Sequence, residues 1–156
     1  LLDNGEMGHL RVSASTSRCE CGRIGCLDSL FSAMEYRRLF GGRSREEMKK
    51  ELEEGGMSPE SSSYRLVEPG FRAFCEALLD LCAAFSPDFV LLSGELLSIL
   101  PDPLAWIQTW IGDMIDLARP PAWYPARFAF YLTGSESAAI GLCYSLIEED
   151  WTWQAD

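Results

Sequence analysis

The chain has 156 residues, 47% of them apolar and 24% charged, so it can bury a real core and is not a disordered segment. Its 13 Lys and Arg stand against 24 Asp and Glu. The resulting net charge of -11 repels phosphate backbones, which makes nucleic acid a poor partner for this chain by itself. No apolar run approaches the roughly 20 residues that a membrane-spanning helix needs, and no membrane partner is expected. The chain opens Leu1-Leu2-Asp3 with its first Met at Met7, and it reads as if cut from a longer polypeptide.

In chain order, Leu10 and Val12 alternate with Arg11 and Ser13 and suggest a short strand. Leu27, Leu30, Phe31, Met34 and Arg38 share one face of a helical pattern that Gly41-Gly42 ends. Residues 44–54 are charged, with Ser44 as N-cap and Glu46–Lys50 as an i,i+4 pair, and read as a solvated surface helix. A loop over 55–63 follows. Phe71, Phe74, Cys75, Leu78, Cys82 and Phe85 mark one face of the next helix, with Phe71 near its start and Pro87 closing it.

Phe89 to Leu92 is a continuous apolar run between turn signals, as expected of a strand buried on both faces. Asp102-Pro103 reads as an N-cap followed by Pro at the first helical position. The helix it opens carries a stripe through Leu104, Ile107, Ile111, Met114 or Ile115, and Ala118, stopped by Pro120-Pro121. Trp106 and Trp110 lie beside that stripe, and core or subunit packing explains them better than stacking on a ligand. Residues 127–132 read as a second strand. Thr133 and Glu136 have the capping-box spacing for a last helix with Ala139, Ile140, Cys143 and Ile147 on its buried face. Helices alternating with strands imply an α/β sandwich.

Six Cys are unevenly spread. Cys75, Cys82 and Cys143 sit singly among apolar neighbours and read as buried small residues. Cys19, Cys21 and Cys26 crowd into one loop, Cys-Glu-Cys-Gly-Arg-Ile-Gly-Cys, where an i,i+2 disulfide would be strained. Upstream stands the only histidine, His9. Three thiolates and an imidazole form a closed four-ligand set for a structural Zn²⁺, the alternative being free thiols. Three thiolates and one Zn²⁺ would move the net charge from -11 to about -12, which favours a neutral or cationic ligand over a polyanion. Unbridged thiols suggest a reducing, cytoplasmic setting.

Gly5-Glu6-Met7-Gly8-His9, followed by Cys19-x-Cys21-Gly22-x-x-Gly25-Cys26-Leu27-Asp28, resembles the signature of the ROK family of bacterial repressors, open reading frames and sugar kinases. Phe89 to Gly94 resembles the family's apolar strand leading to a glycine pair, and 132–147 its last strand, turn and helix. The resemblance implies the C-terminal lobe of an actin-like (ribonuclease H-like) ATPase fold, with a zinc-binding loop and a mixed sheet flanked by helices. It divides the chain into a sugar- and zinc-binding segment, 1–28, a helical insertion and loop, 29–70, and an α/β portion, 71–156. It also implies that Glu6 hydrogen-bonds sugar hydroxyls, and that His9 ligates zinc with Cys19, Cys21 and Cys26 and touches the sugar. Asp28 stands where the family has a second sugar-binding Glu and is one methylene shorter.

Ser93-Gly94-Glu95 departs from the glycines that approach the nucleotide in the family's kinases, and so opposes ATP. The family's catalytic Asp and phosphate-binding strand lie in an N-terminal lobe absent from this chain, so no catalytic residue and no activity are expected of it alone. The resulting expectation is the sugar-binding and dimerisation lobe of a sugar-responsive ROK regulator, a homodimer that meets DNA only through a further N-terminal domain. The alternative is a lobe of an ATP- and Mg²⁺-dependent ROK sugar kinase of the glucokinase or N-acetylhexosamine kinase type.

Overall fold

The computed structural model describes residues 7–94, 96–125 and 127–131. The described elements are four α-helices, α1 (Ala33–Leu39), α2 (Arg45–Gly55), α3 (Ser62–Phe85) and α4 (Pro103–Gly112), and two strands, β1 (Phe89–Ser93) and β2 (Arg127–Tyr131). Short 3-10 turns cover Met7–His9, Leu27–Ser29 and Leu97–Ile99. The strands pair in parallel with Phe89 opposite Arg127 and Ser93 opposite Tyr131. A parallel pair needs a crossover, and Leu97–Ile99 with α4 supplies it. The predicted last helix, with Thr133, Glu136 and Cys143, lies outside the described residues, and among the described residues the sheet is the parallel pair alone.

The helix predicted from Leu27 is broken in two. Ser32 is extended (φ -147°, ψ 156°) and accepts the Glu35 N–H as N-cap of α1. The break rotates the buried face, so Met34 is exposed while Tyr36 and Phe40 enter the core. The Leu10–Val12 strand reduces to a single antiparallel bridge, Arg11 to Cys26.

In α2 the Ser44 hydroxyl accepts the Glu47 N–H and the Glu47 carboxylate accepts the Ser44 N–H, a complete capping box. The helix is not wholly solvated, because Met48 and Leu52 are buried against the core. Among its ion pairs is Lys50–Glu54 at 3.8 Å. Ser44→Ala should cost about 1 kcal/mol and lower the melting midpoint by roughly 2–4 °C, read by calorimetry.

The long helix α3 starts at Ser62, well before Phe71, so residue 70 falls within it. Pro69 lies inside the helix on its exposed side, where water can serve the carbonyl that its missing N–H leaves unpaired. Phe71, Phe74, Cys75, Leu78 and Cys82 are buried as expected. Phe85, at the helix end, is instead 76% exposed.

The core is aromatic. Phe71 stacks on Trp110 with ring centroids 5.2 Å apart, and Phe31 stacks on Phe74 at 4.5 Å. Trp110 Nε1–H donates to the Tyr64 hydroxyl at 3.2 Å, and the Tyr36 hydroxyl donates to the Val67 carbonyl at 2.9 Å. Asp102 caps α4 through the Ala105 N–H, with Pro103 beside it, as the sequence predicts. The helix ends at Gly112 rather than at Pro120, so its stripe closes at Ile111. Trp106 and Trp110 are buried in the core of this chain, so they are not apolar surface for a dimer.

In β1, Leu92 faces the core, while Phe89 and Leu91 are 49% and 58% exposed. The run is continuous in apolar character, but only one face is covered among the described residues. Alternation places 89 and 91 on the other side. Among those residues, no helix is long and apolar enough to cross a membrane.

Candidate metal centre

The Cys loop is shaped by its own backbone. Cys19 N–H donates to the Arg23 carbonyl at 2.8 Å and Gly22 N–H to the Cys19 carbonyl at 2.9 Å, closing a tight turn beside the Arg18–Ile24 bridge. Gly22 and Gly25 sit at φ 87° and 85°, a region that L side chains rarely adopt, and so fold the chain back on itself. Val12 N–H to the Gly25 carbonyl and Leu27 N–H to the Leu10 carbonyl, each 2.8 Å, lash the segment after His9 to the far end of the loop.

These ties bring the four sequence-predicted ligands together. One ligand atom from each of His9, Cys19, Cys21 and Cys26 lies within 4.8 Å of all the others, a group that could hold a metal ion. His9 Nδ1 is 3.7 Å from Cys19 Sγ, and Cys21 Sγ is 3.6 Å from Cys26 Sγ. A tetrahedral ion with metal–sulfur bonds of about 2.3 Å and metal–nitrogen bonds of about 2.0 Å separates neighbouring ligand atoms by about 3.5–3.8 Å. These two pairs therefore already stand at the spacing that such an ion imposes, and the whole set lies within 4.8 Å.

The sulfurs differ in setting. Cys19 and Cys26 are buried and Cys21 is exposed. Hydrogen bonding from the Arg23 backbone and guanidinium holds the Cys21 thiol down at about 6, whereas burial pushes the Cys26 thiol up to about 11. The thiolate is the reactive form, so a depressed value leaves Cys21 ionised at neutral pH, and that reactivity fades as pH falls through 6. In metal-free protein, iodoacetamide at pH 7 should therefore label Cys21 before any other cysteine. Peptide mass mapping that found Cys26 or Cys75 labelled first would contradict this.

Three supporting residues escaped the sequence reading. Arg23 Nη2 donates to the His9 carbonyl at 2.9 Å, joining loop and histidine. Its signal was available, since it is the one cation between Cys19 and Cys26. Ser29 Oγ donates to the Cys26 carbonyl at 2.6 Å and lies 2.6 Å from Ser15 Oγ, bracing the turn behind the last thiol. No local sequence pattern marks that serine pair.

Asp28 follows on the Leu27–Ser29 turn, with Oδ2 3.7 Å from His9 Nδ1. A methyl group on Gly8 would overlap the Asp28 carboxylate, so the glycine leaves the room Asp28 occupies. His9, Cys19, Cys21 and Asp28 line one open cleft of about 1030 Å³, with the ion-paired Glu35 and Arg38 at its edge. Glu6 lies outside the described residues. Of the degenerate nucleotide region, Ser93 ends β1, Gly94 follows it, and Glu95 is outside the described residues.

Helices packed on a parallel strand pair, with a Cys and His group lining a cleft, define the class, and the chain belongs to the ROK family, whose model matches residues 3–111. The family carries the actin-like ATPase fold. The matched span does not include residues 132–147, whose sequence also resembles the family's last strand, turn and helix. Kanosamine kinase of Amycolatopsis mediterranei (strain S699) is 26% identical over 117 residues, covering 74% of this chain and 39% of that protein. A solved ROK family transcriptional regulator, a homologue of the E. coli MLC protein, superposes with a TM-score of 0.54 at 20% identity. That match covers 82% of this chain and 34% of the regulator, so this chain spans little more than a third of either relative.

Proposed function

We propose that this chain is the zinc-stabilised sugar-binding lobe of a sugar-responsive ROK transcriptional regulator. One observation carries the reading: His9, Cys19 and Cys21 line the same cleft as Asp28, and with Cys26 they form a group that could hold a metal ion. Soft thiolates with one imidazole favour zinc over magnesium or calcium, and four protein ligands leave no open position, so the ion is structural. Zinc then fixes the His9 ring at the edge of the sugar site. Glu6 and Asp28 supply carboxylates, each able to accept from two adjacent hydroxyls. The regulator assignment rests on Ser93 and Glu95, which stand in the sequence where the family's kinases, resembled by this chain, carry glycines near the nucleotide.

The second reading, a lobe of a sugar kinase, is favoured by the kanosamine kinase relative and by a second cavity. That cavity, of about 540 Å³, is lined by Arg37, Arg43 and Arg45 over Met48, Leu96 and Ile99, just beyond Gly94. A guanidinium suits a phosphorylated ligand, and of these three Arg43 pairs with Glu51 and Arg45 with Glu46. In either reading the remaining parts, whether a DNA-binding domain or a catalytic Asp, belong to segments other than this one. Homodimerisation and a cytoplasmic setting are part of the same proposal.

The test is turnover. The protein that carries this chain, incubated with ATP, Mg²⁺ and a panel of hexoses and aminohexoses, should release no sugar phosphate. Steady phosphorylation of any of them would overturn the regulator reading in favour of the kinase.

A further inference from the structure

We infer that the Cys21–Cys26 pair is an oxidation site, at which a peroxide joins the two sulfurs in a disulfide and expels the metal. The inference rests on the zinc reading above but is decided by different features of the loop. Three thiols stand together, yet they are not equivalent. Cys21 is exposed, and the cleft gives a small oxidant a direct path to it. Cys26 is 1% exposed and does not line the cleft, and Cys19, though on the cleft, is only 7% exposed.

Geometry then selects the partner. Cys26 Sγ lies 3.6 Å from Cys21 Sγ. A disulfide needs about 2.05 Å, so the sulfurs must close by only about 1.5 Å. The other neighbour, Cys19, is two residues away in sequence, where a disulfide ring is strained. Between Cys21 and Cys26 the chain turns through Gly22 and Gly25, and the ring closed over four intervening residues follows a turn that already exists. The hydrogen bonds from Cys19 to Arg23 and from Val12 to Gly25 are backbone bonds that hold this turn without help from the metal. The loop therefore keeps its shape as the ion leaves.

The chemistry balances. The Cys21 sulfur attacks hydrogen peroxide and breaks its O–O bond, giving a sulfenic acid and releasing one water after taking up a proton. The Cys26 thiolate attacks the sulfenic sulfur, and the S–O bond breaks as the S–S bond forms. The departing hydroxide takes a second proton and leaves as a second water. The two sulfurs lose two electrons in total and the peroxide gains them. Cys19 and His9 are then the only ligands of the four still able to bind, and two are too few to hold the ion against water. A reducing thiol reverses the step and restores the site.

The consequence reaches the cleft, because His9 faces it and Asp28 follows Cys26 by two residues. Loss of the ion frees the His9 ring from its fixed orientation, so oxidation couples to sugar affinity through the wall the two share.

The experiment treats reduced, metal-loaded protein with a stoichiometric amount of hydrogen peroxide. A chromophoric chelator reads free zinc, and peptide mass mapping reads the cysteines. The expected result is release of most of the bound zinc together with a peptide in which Cys21 and Cys26 are linked with loss of two hydrogens. Dithiothreitol and zinc should then recover the starting metal content. Zinc retained at that peroxide dose, or released with Cys21 as a sulfinic acid or linked to any cysteine but Cys26, would overturn the inference. Protein purified reduced and without metal would refute the zinc reading instead. In that case the mass map alone still decides the pairing, and a Cys75→Ser variant, with its thiol outside the loop, should give the same link.

Discussion

Cys26→Ser should leave the protein without its metal while the helices stay folded. The serine hydroxyl does not ionise near neutral pH and is a hard, weak ligand, so affinity for zinc should fall by more than about 100-fold. Cys26 is buried at the N-terminus of the Leu27–Ser29 turn, and its carbonyl takes bonds from Ser29 Oγ and Ser29 N–H. Losing the ion therefore releases the ligand side chains, while the backbone bonds from Cys19 to Arg23 and from Val12 to Gly25 keep the turn. The aromatic core does not depend on the loop: Phe71 and Trp110 stack on each other, and Trp110 bonds to Tyr64. Metal analysis should fall from about one zinc per chain to below about 0.1, with the helical circular dichroism retained. A variant that held its zinc would remove Cys26 from the ligand set.

Trp110→Ala should do the reverse, costing stability while sparing the metal. The indole is fully buried, stacks on Phe71 and satisfies its N–H on Tyr64. Truncating such a residue opens a large cavity and leaves the tyrosine hydroxyl without its donor, for a loss of about 3–5 kcal/mol. Domains of this size are stable by only about 5–15 kcal/mol, so a large share of the total disappears. Urea denaturation should show the midpoint falling sharply, while the folded fraction keeps its zinc. A loss below about 1 kcal/mol would contradict the packing described for α3 and α4.

The centre was legible in the sequence because its ligands are chemically rare and local. Cys19, Cys21 and Cys26 lie within eight residues, and the single His can be placed with them on residue type alone. The caps at Ser44 and Asp102 were legible for a similar reason, since a cap is written in three or four consecutive residues. What misled the reading was long-range. The apolar stripe from Phe71 marks only the later part of α3, and the exposure of Pro69 shows how the helix runs back through it to Ser62. Ser32 breaks a periodic pattern that runs unbroken through Leu27 and Met34, and only the cap bond to Glu35 reveals the stop. The family resemblance put Asp28 and His9 at one site, but the room that Gly8 leaves for the Asp28 carboxylate depends on how the 7–9 turn meets the 27–29 turn, which no local pattern shows.

The central claim is that a metal-held loop forms one wall of a sugar site, and calorimetric titration tests it most directly. The zinc-loaded protein that carries this chain is titrated with a panel of hexoses and aminohexoses, beside its Glu6→Ala and Asp28→Ala variants. The account predicts that one of these sugars binds, that both variants weaken it by about tenfold or more, and that each retains about one zinc per chain. Unchanged affinity in both variants, with zinc in place, would contradict it.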